Sequence, residues 1–333
     1  MRANQETIKK AAKLAKKPIG DFIVLAHHRD PYYVGTPTDI KNAEWFANIW
    51  QRAGYLSGAH LRRVHYWIVS QRQVILMPDG LPYENTEKCW EGLGKASMKA
   101  RYLGMVNIAD ILDNKNPDPH VHADYSTTEP NYGINVPEFD NPYIHLEGFN
   151  VADAQPYHLE VWCEKSTMND VFMPLCDRYN ANLVTFEGEV SLSACNDLIA
   201  RIKSASGKPA RVFYISDFDP AGNSMPVAMS RKVEYLLDLY GCDFDVRINA
   251  LVLTAETIQE YNLPRKPIKD TENRGEAALF GNGAVELDAL EALYPGELGN
   301  IVNAALSEYY NQAVFDEVMS EQEALRQSGT RQD

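Results

Sequence analysis

The spacing of apolar residues changes along the chain. Up to about residue 103 it mostly follows helical turns, and beyond about residue 157 short uncharged runs alternate with helical stretches. Ile8, Ala11, Ala12, Leu14 and Ala15 fall between Lys9, Lys10, Lys13, Lys16 and Lys17, which predicts an exposed basic helix within 3–17. Ala43, Phe46, Ala47 and Trp50 share one face of a helix that ends near Arg52, with Thr38 or Asp39 as its cap. Gly54 and Gly58 break it. A second helix is predicted from about Ala59 to Ser70. A strand at Val74–Met77 and a turn at Asp79-Gly80 follow. Asn85-Thr86 can cap a third helix across 87–103, which carries Lys88, Lys95, Lys99 and Arg101. Helix, short turn, basic helix and β-wing is the order of a winged-helix module, so residues 1–110 are expected to form one.

Residues 111–156 are rich in Pro, Asn, Asp and His and predict a long irregular connector, in which His120 and His122 read as solvated loop residues. From 157 the pattern alternates. Strands are predicted at 159–163, 182–186, 211–215 and 246–253. Helices are predicted at 167–179, 191–204 and 223–240. This βαβαβαβ order predicts an α/β domain over 157–318 with a parallel, Rossmann-like sheet. Residues 319–333 form a polar tail, expected to be frayed.

Two of these strands end in acid. Leu159-Glu160-Val161-Trp162-Cys163 runs into Glu164-Lys165. The uncharged Val212–Ile215 run passes into Ser216-Asp217-Phe218-Asp219-Pro220-Ala221-Gly222. Ligands of open parallel sheets collect just beyond the carboxyl ends of strands. Carboxylates gathered at two neighbouring strand ends repel one another and call for a cation. Hard oxygen donors suit Mg²⁺ or Mn²⁺, so Glu164, Asp217 and Asp219 are candidate ligands.

Charge is unevenly placed. The net charge of −14 argues against a general nucleic-acid binder, yet residues 1–110 hold 16 Lys/Arg against 10 Asp/Glu, and residues 111–333 hold 16 against 36. A basic half beside an acidic half fits one DNA-facing module and one metal-bearing module. The five cysteines include no C-x-x-C pair, which argues against zinc and fits a reduced, cytoplasmic setting. No apolar run is long enough for a membrane span. The Lys-rich start carries no apolar signal core, and no Gly-Lys-Ser/Thr phosphate loop is present.

Glu164-Lys165 and Asp217-Phe218-Asp219-Pro220-Ala221-Gly222 resemble the signature of the Toprim domain, in the version found in the A subunit of topoisomerase VI, the related meiotic double-strand-break protein and small phage or plasmid relatives. Leu61-Arg62-Arg63-Val64-His65-Tyr66 is similar to that family's Leu-Arg-x-x-Tyr-Tyr, with His65 in place of the first Tyr. Val285-Glu286-Leu287-Asp288-Ala289-Leu290 resembles a Glu-Leu-x-Ala-Leu segment that recurs before its last helix. The resemblance implies that Tyr66 is the DNA-cleaving nucleophile and that Arg62 stabilises the phosphate. It implies Mg²⁺ at Glu164, Asp217 and Asp219. Double-stranded DNA is the implied substrate, with Arg63 and Lys165 as candidate backbone contacts. In the family the Tyr of one subunit meets the metal site of the other, so a homodimer is implied, and ATP use would need a separate ATPase subunit. Two rivals stay open. One is a Toprim nuclease that uses water, with Tyr66 only packing or binding DNA. The other is a non-catalytic DNA-binding or sensing subunit of a phage or defence complex.

Overall fold

The computed structural model describes residues 4–54, 59–112, 119–123, 131–135, 143–147, 150–265 and 283–329; the side chains of Arg62, Arg63 and Tyr66 lie outside that description. The chain divides into two compact units. The first comprises 1–116 with 189–200 and 227–243. The second comprises 117–188, 201–226 and 244–333.

In the first unit, α1 (Gln5–Ala15) opens on a capping box made by Asn4 and Thr7 and closes on Lys16 in the left-handed region. Helix α2 (Pro37–Arg52) begins slightly earlier than the sequence predicts. Thr36 is its cap, Pro37 occupies the first helical position, and Asp39 completes a reciprocal box. After a short strand, β1 (Ala59–His60), comes α3 (Leu61–Val69). The expected strand at 74–77 is reduced to a hairpin closed by one bridge between Leu76 and Pro82. Its hydrogen bonds run from the Met77 N–H to Leu81 O at 2.8 Å and from the Tyr83 N–H to Ile75 O at 2.9 Å, so Pro82 occupies a non-hydrogen-bonded position that needs no N–H. Helix α4 (Glu87–Tyr102) follows, with Thr86 as its cap. Phe46, Ile49, Val64, Ile68, Leu93, Ala96 and Ala100 bury one continuous core among these helices. The buried Asp39 ion-pairs with Lys99 and ties α2 to α4. Strand β2 (Ile111–Leu112) pairs in parallel with β1.

In the second unit, the stretch that the sequence predicts as an irregular connector contains an antiparallel pair, β3 (Asn131–Asn135) and β4 (Tyr143–Glu147). Its register sets Tyr132 opposite Leu146 and Ile134 opposite Ile144. The surrounding Pro and Asn conceal that period-two alternation. His120 also leaves the loop class: its N–H and C=O exchange hydrogen bonds with Leu183 at 2.7 and 2.8 Å. Helix α5 (Val151–Ala154) leads into β5 (His158–Cys163), α6 (Asn169–Tyr179) and β6 (Asn182–Thr185); α7 (Leu192–Ser204) and α8 (Pro220–Tyr240), each divided between the two units, alternate with β7 (Ala210–Ile215) and β8 (Val246–Val252). The four strands form an all-parallel sheet in the order β6-β5-β7-β8, so the expected α/β architecture is present. All six residues of β5 and all six of β7 are buried, as central parallel strands require. One face packs Leu159, Val161, Phe213 and Ile215 against Phe172 and Cys176 of α6 and against apolar residues of α9 (Ala255–Glu260), α10 (Leu287–Leu293) and α11 (Glu297–Tyr309). Helix α12 (Gln312–Gly329) covers most of the tail expected to be frayed. No helix among the described residues is long and apolar enough to cross a membrane.

Candidate functional site

The strand order places a topological switch between β5 and β7. The chain leaves β5 for β6 on one side, then returns across β5 to add β7 on the other. A crevice beyond the carboxyl ends of the strands at such a switch is where open α/β sheets bind ligands. Glu164 follows β5 and Asp217 follows β7. The backbone brings the two ends together: the Glu164 N–H donates to the Ile215 carbonyl at 3.0 Å.

Three further segments fix the acidic turn. The Ser216 N–H donates to Val252 O at 2.8 Å, and Leu253 N–H donates back to Ser216 O at 2.9 Å, which anchors the turn to β8. Phe218 and Val285 exchange backbone hydrogen bonds of 2.9 and 3.0 Å. Asp217 Oδ1 accepts from the Leu287 N–H at 2.8 Å. Asp219 stands just before α8, and its Oδ1 accepts from the Gly222 N–H at 2.6 Å. Asp-Pro-x-Gly thus reads as cap, first helical residue and close-packed third position, so α8 starts at Pro220 rather than 223.

The charges are unevenly satisfied. Glu164 Oε2 is buried with no hydrogen-bond partner among the described residues. Burial and the neighbouring charges of Asp217 and Asp219 push its pKa above the usual carboxylate range. Lys165 turns into the cluster. Its Nζ lies 2.7 Å from Asp288 Oδ2, 3.2 Å from Asp217 Oδ1 and 4.0 Å from Glu286 Oε2. Burial alone would lower the Lys165 pKa, but the hydrogen bond to Asp288 and the charge of Asp217 outweigh it and raise the value.

A cleft of about 260 Å³ adjoins the turn, lined by Ser216, Asp217, Gly222, Asn223, Thr254 and Glu256 among others. No three His, Cys, Asp or Glu side chains among the described residues form a ready-made metal cage. Mg²⁺ does not require one, because it keeps several waters and takes one or two carboxylates together with substrate phosphate. A buried carboxylate oxygen without a donor among the described residues, beside two further carboxylates, is the donor chemistry that such a hard cation takes.

The structure sets Glu164 beside the end of β7 and Lys165 against Asp217, while Asp219 lies two residues further on at the start of α8. It adds Glu286 and Asp288, which the sequence presents only as part of a family-like segment. Nothing in their local pattern signals that the chain returns to the acidic turn through the Phe218–Val285 pair. Arg62 and Tyr66 are one turn apart on α3. His65 on the same helix is buried, with Nδ1 2.7 Å from the Tyr83 hydroxyl and Nε2 3.0 Å from Asn85 Oδ1. These bonds fasten α3 to the hairpin and to the start of α4, a structural role for the residue that departs from the family's Tyr-Tyr pair. The chain matches no protein-family model, and no curated protein matches it.

Proposed function

We propose that the chain is a topoisomerase VI A-like DNA-cleaving protein, with a winged-helix module in the first half and a Toprim-type metal site in the second. The observation that carries this reading is the meeting of Glu164 with Asp217 and Asp219 at the switch between β5 and β7, where the buried Glu164 Oε2 has no donor among the described residues. The winged-helix reading is supported by the succession of α2, α3, a hairpin and α4.

In this reading the phenolic oxygen of Tyr66 attacks a phosphorus of the DNA backbone and the bond from phosphorus to the departing deoxyribose oxygen breaks. The phenol gives up its proton to solvent and the departing oxygen takes one, so one phosphodiester replaces another with no redox change. Phenol has a pKa near about 10, so it needs positive charge close to the phosphate. Arg62 lies one turn before Tyr66 and supplies a bidentate donor. Mg²⁺ or Mn²⁺ held by Glu164, Asp217 and Asp219 would add charge beside the phosphate. Arg63 and Lys165 are assigned to the DNA backbone, and a C2 homodimer would bring Tyr66 of one protomer to the acidic site of its partner. A separate ATPase subunit belongs to the same proposal.

One observation favours a second reading. Glu164 has a raised pKa beside two other carboxylates, a setting suited to accepting a proton from water. A water-using nuclease would need only the acidic site. Denaturing gels of labelled duplex with Mn²⁺ separate the two. The leading reading requires a covalent protein–DNA adduct in wild type and none in Tyr66→Phe, whereas cutting by Tyr66→Phe at the wild-type rate selects hydrolysis.

A further inference from the structure

Asp217 Oδ1 receives two donors, the Leu287 N–H at 2.8 Å and Lys165 Nζ at 3.2 Å. The same ammonium lies nearer to Asp288 Oδ2, at 2.7 Å, and has Glu286 Oε2 at 4.0 Å. It therefore spans two sets of carboxylates. One set is the candidate metal group, and the other belongs to the start of α10. The second set is held in place by backbone: Phe218 pairs with Val285, and Leu287 N–H reaches Asp217. The spacing between the two seats of the ammonium is thereby built into the fold.

We propose that Lys165 is the resident counter-cation of the acidic site, and that Asp288 is the seat onto which it withdraws when a divalent cation enters. This rests on the metal-site reading above. A divalent ion on Asp217 Oδ1 would sit about 2 Å from an oxygen that already holds the ammonium, so the two cations compete for it. Lysine is suited to such a withdrawal, being a compact charge on a flexible four-carbon stem, and a small pivot changes its partner. Asp288, with Glu286 behind it, keeps the displaced ammonium paired. Without Asp288 the ammonium has Asp217 as its nearest remaining partner and resists displacement. Lys165 is thus a positioning residue that sets how readily the site loads, and Asp288 acts through Lys165.

Calorimetric titration of Mn²⁺ into the full chain tests this with wild type, Lys165→Gln, Asp288→Asn and the double variant. Both side chains are partly exposed, so the variants should keep the wild-type unfolding temperature closely. Lys165→Gln is expected to tighten Mn²⁺ binding by about fivefold and Asp288→Asn to weaken it by about fivefold, the scale of partly exposed ion pairs. The double variant should match Lys165→Gln within about twofold, because Asp288 has no role once the ammonium is gone. Weaker or unchanged binding by Lys165→Gln overturns the proposal. So does an Asp288→Asn effect of equal size in both backgrounds, which would mark simple through-space attraction. In either case the metal-site reading stands, since wild type still binds. Absence of Mn²⁺ uptake by wild type overturns both.

Discussion

A Cβ placed on Gly222 would overlap the carbonyl oxygen of Asp217 and crowd Ser216 Oγ. The first turn of α8 and the acidic turn are therefore packed backbone to backbone, and only glycine permits it. Gly222→Ala should lower stability by about 1–3 kcal/mol, the range for forced overpacking. It should also displace Asp217 and weaken Mn²⁺ uptake. Chemical unfolding and metal titration on the same sample check both effects, and an unchanged midpoint would contradict the close approach.

Asp219→Asn offers the cleaner test of the acidic group. Asparagine caps helices as well as aspartate does, so the bond from Gly222 N–H can survive while a charge is removed. Metal-free protein should unfold at the wild-type temperature or slightly above it, because like-charge repulsion with Glu164 is relieved. Mn²⁺ affinity should fall by about tenfold or more, the scale of losing a charged ligand contact. Equal affinity in calorimetry would remove Asp219 from the site.

The second unit contains a buried ion pair that sets its acid sensitivity. Glu160 on β5 is fully buried and takes Arg201 Nε and Nη2 at 2.7 and 2.9 Å, His158 Nε2 at 2.7 Å and Trp162 Nε1 at 2.7 Å. Burial alone would raise its pKa, but the Arg201 charge and the His158 and Arg201 hydrogen bonds outweigh it and hold the carboxyl far below the usual range. A depressed folded pKa contributes stability that is complete above the unfolded value of about 4.5 and is lost as pH falls toward the folded one. Arg201→Met should cost about 3–5 kcal/mol at neutral pH by removing the guanidinium that balances the buried charge, and should flatten the acid side of the stability curve. Urea unfolding at a series of pH values measures both.

The parallel sheet and the acidic strand ends are legible in the sequence because their signals are local. An uncharged Val212–Ile215 run ending in Asp-x-Asp-Pro-x-Gly can be read from one window, and β7 is buried at every position. The start of α2 is harder to place because Asp39 looks like a cap, whereas it is the acceptor at the third position of a box begun by Thr36. The hairpin of β3 and β4 escapes a sequence reading because five-residue alternation is faint among prolines. Lys165, Glu286 and Asp288 are legible only as separate residues, since their meeting depends on a backbone pairing between positions far apart in the chain.

DNA binding should be tested in the full chain. The fragment 1–110 would lose partners supplied from later sequence: Tyr235 donates to Tyr102 O at 2.6 Å, and Arg231 Nε lies 3.3 Å from the buried Asp30. With its positive excess in residues 1–110, the full chain should lose duplex affinity by about a hundredfold or more between roughly 50 and 200 mM salt, as counterion release requires. Fluorescence anisotropy with a labelled duplex reads this, and an affinity indifferent to salt would contradict a phosphate-tracking surface.

Transfer of a DNA phosphate to Tyr66 would leave a product that can itself be located. Cleavage after Arg63 and Arg72 releases the peptide Val64–Arg72, whose single tyrosine is Tyr66. After reaction of the full chain with duplex and Mn²⁺, nuclease trimming and proteolysis, mass spectrometry should find a nucleotide on that peptide, fragmenting to place the added mass on Tyr66. Cut DNA accompanied by an unmodified Val64–Arg72 peptide, or by a nucleotide on any other residue, would contradict the account.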